Sequence, residues 1–236
     1  MENIKRHLSK RMEAIADMVT DGLPVADVGC DHGFIDIYLL LSGKCPKAVL
    51  MDINKGPLMR ADDNIRRFSL TEKTRLILSD GLKNYTEGDA DSLIISGMGG
   101  SLIKDILGYD LSLSRSFKEL ILSPQSEIGD VRIFLNENGF RIAEEDMLID
   151  EGKYYVIIKA VPDDNSPKVM STEEALYGPM LIHENSPVLR EYLTKKKDKF
   201  TKILCKLNPE TSKVRITELE KENEIIDRTL ALMGRA

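Results

Sequence analysis

Five short stretches place acids and glycines where a sugar, an amine or a sulfonium ion could be held: ADVGCDHGF (26–34), MDINKGP (51–57), LSDGL (78–82), SGMGG (96–100) and LSPQ (122–125). In the first, Gly29 and Gly33 are spaced GxxxG behind Asp27. Asp31 stands where a dinucleotide loop carries its middle glycine. Asp52 follows Asp27 by 25 residues, the place from which an acid accepts hydrogen bonds from ribose hydroxyls. Asp80 is placed to accept from an adenine amine, and Gly81 beside it permits close backbone approach. Gly97 and Met98 sit in a glycine-rich turn suited to backbone held against a ligand. Ser123 and Gln125 add polar groups on the same edge, where open α/β sheets bind their ligands.

The ligand these residues suit is not a polyphosphate. The chain has no GK[ST] triplet and no third glycine at the pyrophosphate position, and Asp31 would repel an anion at close range. S-adenosylmethionine avoids that conflict, with an α-ammonium group, a sulfonium and no phosphate. Two readings compete with a methyltransferase. One is an NAD(P)-dependent oxidoreductase, which shares the Asp52 feature; the other is a non-catalytic RNA-binding module on a degenerate Rossmann-like fold. His7 and His183 have no acidic or cysteine partner at ligand spacing, and Cys30, Cys45 and Cys205 show no CxxC spacing, so no metal site and no histidine-cysteine nucleophile is expected. His32, beside the loop, reads as a hydrogen-bonded structural residue before a base.

Strands must carry these stretches. VADVG (25–29), AVLMDI (48–53), RLILSD (75–80), SLIISG (92–97) and ELILS (119–123) are consecutive apolar runs, as strands covered on both faces require. Helical patterns fall between them at Phe34 to Leu41, Pro57 to Phe68, Gly100 to Leu107 and Ile128 to Asn138, so a mostly parallel sheet with right-handed crossovers is predicted. FRIAEEDMLIDEGKYYVIIKAV breaks this rhythm with two β runs joined at Glu151-Gly152, an antiparallel hairpin closing the sheet. Leu8, Met12, Ile15, Ala16 and Val19 predict an amphipathic helix ahead of the first strand.

Past residue 163 the pattern changes. DDNSPK reads as a linker, 171–184 is poorly patterned, and two helices flank the turn NPET. Leu189, Leu193, Lys196, Phe200, Ile203 and Leu207 in one helix, and Ile216, Leu219, Asn223, Ile226, Leu230 and Met233 in the other, keep heptad spacing. The prediction is an antiparallel helical hairpin over 164–236 appended to a catalytic domain over 1–163.

With 236 residues, 42% hydrophobic and 31% charged, the composition is that of a globular protein. A net charge of −6 gives no general attraction to nucleic acid, so an RNA partner needs local basic patches. Two exist: Lys5, Arg6, Lys10 and Arg11, and the stretch 190–206 with seven basic against two acidic residues, Lys196 and Lys197 among them. The absence of a long apolar run or an apolar leader, and three widely spaced cysteines, lead to an expected cytoplasmic location with no membrane contact. No protein partner is implied.

Taken together, LSKRM, DVGCDHGF, MDINKGP, LSDGL, SGMGG and the EGKYYV hairpin resemble the bacterial tRNA (adenine-22-N1)-methyltransferase family over residues 1–160. The resemblance implies a class I methyltransferase fold, seven strands with an antiparallel terminal hairpin, S-adenosylmethionine as donor, and a tRNA adenine methylated at N1. The family's SDHAYLP loop reads CDHGFID here, keeping Asp31 and His32 but replacing Tyr and Pro with Phe34 and Asp36; its LQPN reads LSPQ. On this reading Asp27, Gly29, Asp31, Asp52, Asp80, Gly81, Gly97 and Met98 are expected to hold the cofactor. Asp31 is the expected catalytic residue, accepting from the target's exocyclic amine. Arg11, Phe34, Ser123, Gln125, Lys196 and Lys197 are expected to meet the substrate, with Phe34 or Tyr85 stacking on the adenine.

Overall fold

The computed structural model describes residues 2–165, 167, 169–208 and 210–234, and forms two compact units, Met1–Lys168 and Val169–Ala236.

In the first unit the five apolar runs form parallel strands β1 (Val25–Val28), β2 (Ala48–Asp52), β3 (Thr74–Leu78), β4 (Ser92–Ser96) and β5 (Glu119–Ser123). The hairpin follows as β6 (Phe140–Asp150) and β7 (Lys153–Pro162). The strand order is β3-β2-β1-β4-β5-β7-β6, with β7 inserted antiparallel between β5 and β6. The class I methyltransferase architecture read from the sequence is the one observed. Four of the apolar runs overshoot their strands: Gly29, Ile53, Asp80 and Gly97 lie just beyond the last paired residues, in the turns. An apolar run marks burial, and burial continues into a turn that the ladder has already left.

α1 (Glu2–Lys5) and α2 (Lys10–Met18) precede β1. The Ser9 side chain caps α2 by accepting from the Met12 amide, and Ile15, Ala16 and Met18 bury its apolar face. Glu119 at the start of β5 ties down the end of this segment, accepting from the Thr20 amide at 2.9 Å and hydroxyl at 2.6 Å, from Ser92 and from Lys159. α3 (Phe34–Leu41) and α4 (Lys55–Arg67) are the crossovers from β1 to β2 and from β2 to β3. α4 begins two residues ahead of Pro57, since a helix start tolerates proline throughout its first turn.

α5 (Gly100–Gly108) and α6 (Leu111–Ser116) join β4 to β5, and α7 (Ile128–Glu137) joins β5 to β6. α6 is absent from the sequence reading because LSLSRS has too few turns for a periodic signal. The chain runs outward from β1 through β2 to β3, then returns to β4 and runs the other way. Right-handed crossovers therefore put α3 and α4 on one face and α5 and α7 on the other. The reversal falls between β1 and β4, and α/β sheets hold ligands at such a switch point.

In the second unit, the poorly patterned stretch forms α8 (Thr172–Tyr177), opened by a Ser171–Glu174 capping box, and α9 (Pro179–His183). The hairpin helices are α10 (Pro187–Leu204) and α11 (Lys213–Met233). Leu189, Leu193 and Phe200 bury one stripe, and Leu219, Ile226 and Met233 the other. Leu207 is not on its helix, which ends at Leu204. The DDNSPK and NPET readings include Ser166, Lys168 and Pro209, which lie outside the described residues. Residues at the start of that linker stay with the first unit: Asp163 donates its amide to Gly139, and Arg115 pairs with Asp164 at 2.6 Å.

Candidate active site

The turns after β1 and β4 meet at the switch point. Gly29 has φ +80° and donates its amide to the Met51 carbonyl at 2.8 Å, drawing the loop over the end of β2. The methyl of Met98 lies 2.3 Å from where a Cβ on Gly29 would be, so the β4 turn reaches across to the β1 turn. Gly97, at φ +77°, donates to the Ser123 carbonyl, and the Met98 carbonyl accepts from the Gln125 amide at 2.8 Å. The SGMGG and SPQ stretches are thus hydrogen-bonded to each other.

The acids spread along the β1-β2-β3 half. Asp52, the last residue of β2, is 9% exposed, and its Oδ1 accepts from the Asn54 amide at 2.8 Å. Asp80 is exposed and paired with Lys83, whose pKa this hydrogen bond raises. A cavity of about 630 Å³ opens beside it, lined by Leu82, Lys83, Leu102, Ile106 and Tyr109. The turn around Gly81 is held by Ser79, whose hydroxyl donates to the Gly81 carbonyl and accepts from the Asn84 amide.

Asp27 is buried, and its pKa is raised to about 7 by burial, with Asp36 donating or sharing a proton against that rise and the Asp52 charge adding to it. Asp36, in the first turn of α3, is 0% exposed and also raised, by burial and by the Asp27 charge. Two carboxyl groups this deeply buried beside each other cannot both ionise readily, so the protonated form of at least one is favoured. The signal for Asp36 was present as a lone acid within the apolar run FIDIYLLL, but the sequence reading gave it no role.

Asp31 takes a left-handed φ of +45° and is largely exposed. Oδ1 accepts from Arg60 of α4 at 2.7 Å, and Oδ2 lies 3.6 Å from His32 Nε2. Arg60 had no place in the sequence reading; a cation 29 residues away becomes a neighbour only because α4 packs back beside the loop. Phe34 stacks on His7, with centroids 4.8 Å apart, and on His32 at 5.5 Å.

Tyr85, named above as an alternative stacking residue, is buried. Its hydroxyl accepts from the Ala90 amide and donates to the Ala90 carbonyl, and its ring packs on Phe117. It has no ring face to offer a base.

On the other half of the edge, the Ser123 hydroxyl is buried and makes no hydrogen bond among the described residues, while Gln125 is exposed. Arg11 extends from α2 toward Gly97, its guanidinium 5.2 Å from the Tyr155 ring centroid. In the second unit Lys196 is half-buried, pairs with Glu222 at 3.2 Å and lies over Tyr177 and Phe200, and Lys197 pairs with Asp227. Cys45 is pushed up to about 12 by burial and Cys30 is pushed higher still, so neither offers a thiolate near neutral pH. Among the described residues no group of three His, Cys, Asp or Glu side chains is placed to hold a metal ion, and no helix is long and apolar enough to cross a membrane.

A methyltransferase-domain family model matches residues 8–158. The tRNA (adenine(22)-N(1))-methyltransferase of Bacillus subtilis is 26% identical over 94% of this chain and 97% of its own length. A Streptococcus pneumoniae protein provisionally assigned as a tRNA (m1A22) methyltransferase, solved with S-adenosyl-L-methionine, superposes with a TM-score of 0.84 at 31% identity, covering 94% of this chain and 99% of that one. The chain belongs to the bacterial tRNA (adenine-22-N1)-methyltransferase family. Another structure like it, the Mycoplasma capricolum TrmK complex with S-adenosyl-homocysteine, aligns at 25% identity and a TM-score of 0.82 over 96% of this chain and 99% of that one. Within this family fold, the acid-bearing half of the edge and the Arg11–Gln125 half flank the Gly29–Met98 contact, an arrangement that suits a transfer between two ligands.

Proposed function

We propose that the protein methylates N1 of an adenine in tRNA, position 22 by family likeness, with S-adenosylmethionine as donor. The observation that carries this reading is the placement of Asp27, Asp52 and Asp80 at the carboxyl ends of three adjacent strands of a family-typical sheet. The residues present suit that donor. Asp52 keeps an oxygen for the ribose, and Asp80 borders a cavity with room for a ring. Asp27, Gly29, Asp52, Asp80, Gly81, Gly97 and Met98 would hold it. The bound donor supplies a methyl group already activated by its sulfonium.

The chain's own work is then positioning and charge stabilisation. When bound, the donor would supply its methyl group to the adenine N1 lone pair, which would leave the ring positively charged. A carboxylate accepting from the exocyclic amine stabilises that charge. We assign this role to Asp31, whose Oδ2 is not engaged by Arg60. N1 is on the Watson–Crick edge, so a paired target must be turned out of its helix. Lys196 and Lys197, on the basic helix of the second unit, are proposed as tRNA contacts through whatever charge their acidic partners leave uncompensated. The same reading places the protein in the cytoplasm, with the tRNA pool.

The test is to incubate the protein with unmodified tRNA and methyl-labelled S-adenosylmethionine and to map the product by mass spectrometry. Labelled 1-methyladenosine supports the reading. Failure to label tRNA, with a thermal shift on NAD but none on S-adenosylhomocysteine, would favour the oxidoreductase instead.

A further inference from the structure

Arg11 is built into its position. Ser9 caps the helix that carries it, and the Asp150 carboxylate accepts from its backbone amide at 3.2 Å. The guanidinium lies over Tyr155. Its Nη1 is 3.7 Å from where a Cβ on Gly97 would be, and Gln125 Nε2 is 3.9 Å from the same point. Nη1 is buried yet donates to no acceptor among the described residues. The Asp150 carboxylate, held below its usual range first by a Ser9 hydrogen bond, also feels the Arg11 charge, but it does not accept from Nη1. A buried donor on a permanently charged group is costly unless something accepts from it.

The position says which half of the site that acceptor belongs to. β5 pairs antiparallel with β7 at Leu122–Ile158, so Tyr155 stands beyond the end of β5, level with Gln125. Arg11, Gln125 and Tyr155 therefore gather on the β4-β5-β7 side, away from the acids of β1, β2 and β3. Charge narrows the partner further. Methylation at N1 leaves the adenine ring cationic, and a guanidinium against that ring would oppose the product. A phosphate has the right charge and offers the planar fork two acceptors.

We infer that Arg11 binds a backbone phosphate flanking the target adenine, with Gln125 beside it, and so holds the turned-out nucleotide against the Gly97 turn. Arg11 is a positioning residue: it grips the nucleotide and leaves the reacting atoms to others. The inference rests on the tRNA-methylating reading.

Arg11→Ala and Arg11→Lys are compared with the wild type on tRNA whose methylated adenine has first been mapped with the wild-type protein. A wild type that methylates no tRNA adenine removes the parent reading rather than this one. The expected result for Arg11→Ala is a KM for tRNA raised about 10- to 100-fold, S-adenosylhomocysteine affinity unchanged by calorimetry, and partial rescue in Arg11→Lys. Two further tRNAs carry a neutral methylphosphonate on the 5′ or the 3′ side of the target. With one of them, wild type and Arg11→Ala should become equal within about twofold, because the charge Arg11 meets is gone. A full-sized Arg11→Ala defect on both modified tRNAs overturns the proposal. So does a loss of S-adenosylhomocysteine affinity, which would give Arg11 to the cofactor's carboxylate.

Discussion

Met98 lays its methyl group where a side chain on Gly29 would have to go, 2.3 Å from the Cβ position. The contact joins the turns after β1 and β4 across the switch point, and it makes the absence of a side chain at residue 29 part of the site. Gly29→Ala should weaken S-adenosylhomocysteine binding while the protein stays folded. Met98 is flexible and can swing aside, so the larger cost is the φ of +80°, about 1–2 kcal/mol for an L-residue. Calorimetry checks this, with circular dichroism to confirm the fold. Undiminished affinity would mean the Gly29 turn does not touch the cofactor.

Asp52 and Asp80 differ in what already holds them: an amide from Asn54 for the first, the Lys83 ammonium for the second. Asp52→Ala and Asp80→Ala should each cost on the order of 1.5–3 kcal/mol in S-adenosylmethionine binding, the usual loss of a charged acceptor. Unchanged dissociation constants in both variants would dispose of the cofactor assignment.

Asp31 shares one oxygen with Arg60. Asp31→Asn keeps size and removes charge, and single-turnover methylation at saturating donor should slow by about 10²–10³, as for loss of one preorganised electrostatic contact. Arg60→Ala leaves the carboxylate in place and should slow the step far less. A rate fully recovered by saturating S-adenosylmethionine would make Asp31 a cofactor ligand only.

The Asp27–Asp36 pair predicts a pH-dependent stability. An acid whose folded pKa is raised contributes stability that is complete below its ordinary pKa and is lost as pH rises through the folded value. For Asp27 the window runs from about 4, the ordinary aspartate range, to about 7, and Asp36, also raised, acts in the same direction. Stability from this pair should therefore fall across that window. Asp36→Asn removes one of the acids and offers Asp27 an amide donor, so the difference between urea midpoints at pH 5 and pH 8 should shrink. An unaltered difference would show that the pair does not favour a protonated form.

A chain ending at Lys168 should fold and bind S-adenosylhomocysteine, since the first unit has its own sheet and core. Its methylation of tRNA should be well below that of the full chain, because 190–206 carries the larger basic patch. Full activity in the shortened protein would exclude the helical hairpin as a substrate arm.

Local patterns determined a good part of this. Consecutive apolar residues mark strands covered on both faces, glycines at 29 and 97 mark turns with left-handed backbone, and the heptad stripe from Leu189 to Phe200 marks a helix with one buried side. Each is a property of neighbouring residues, so the chain alone carries it. Even there short elements escaped, as LSLSRS did, for want of enough turns to show a period. What only the tertiary structure decided is which distant side chains meet. Arg60 reaches Asp31 because α4 returns beside the loop; Tyr85 loses its ring face because Phe117 and Ala90 close over it. Asp36 becomes Asp27's partner because α3 starts directly under the β1 turn. Arg11 finds Gly97, Gln125 and Tyr155 because a helix preceding the sheet packs against strands that follow more than a hundred residues later. Crossover handedness and the place where strand order reverses set these pairings, and neither leaves a periodic trace in the residues that are paired.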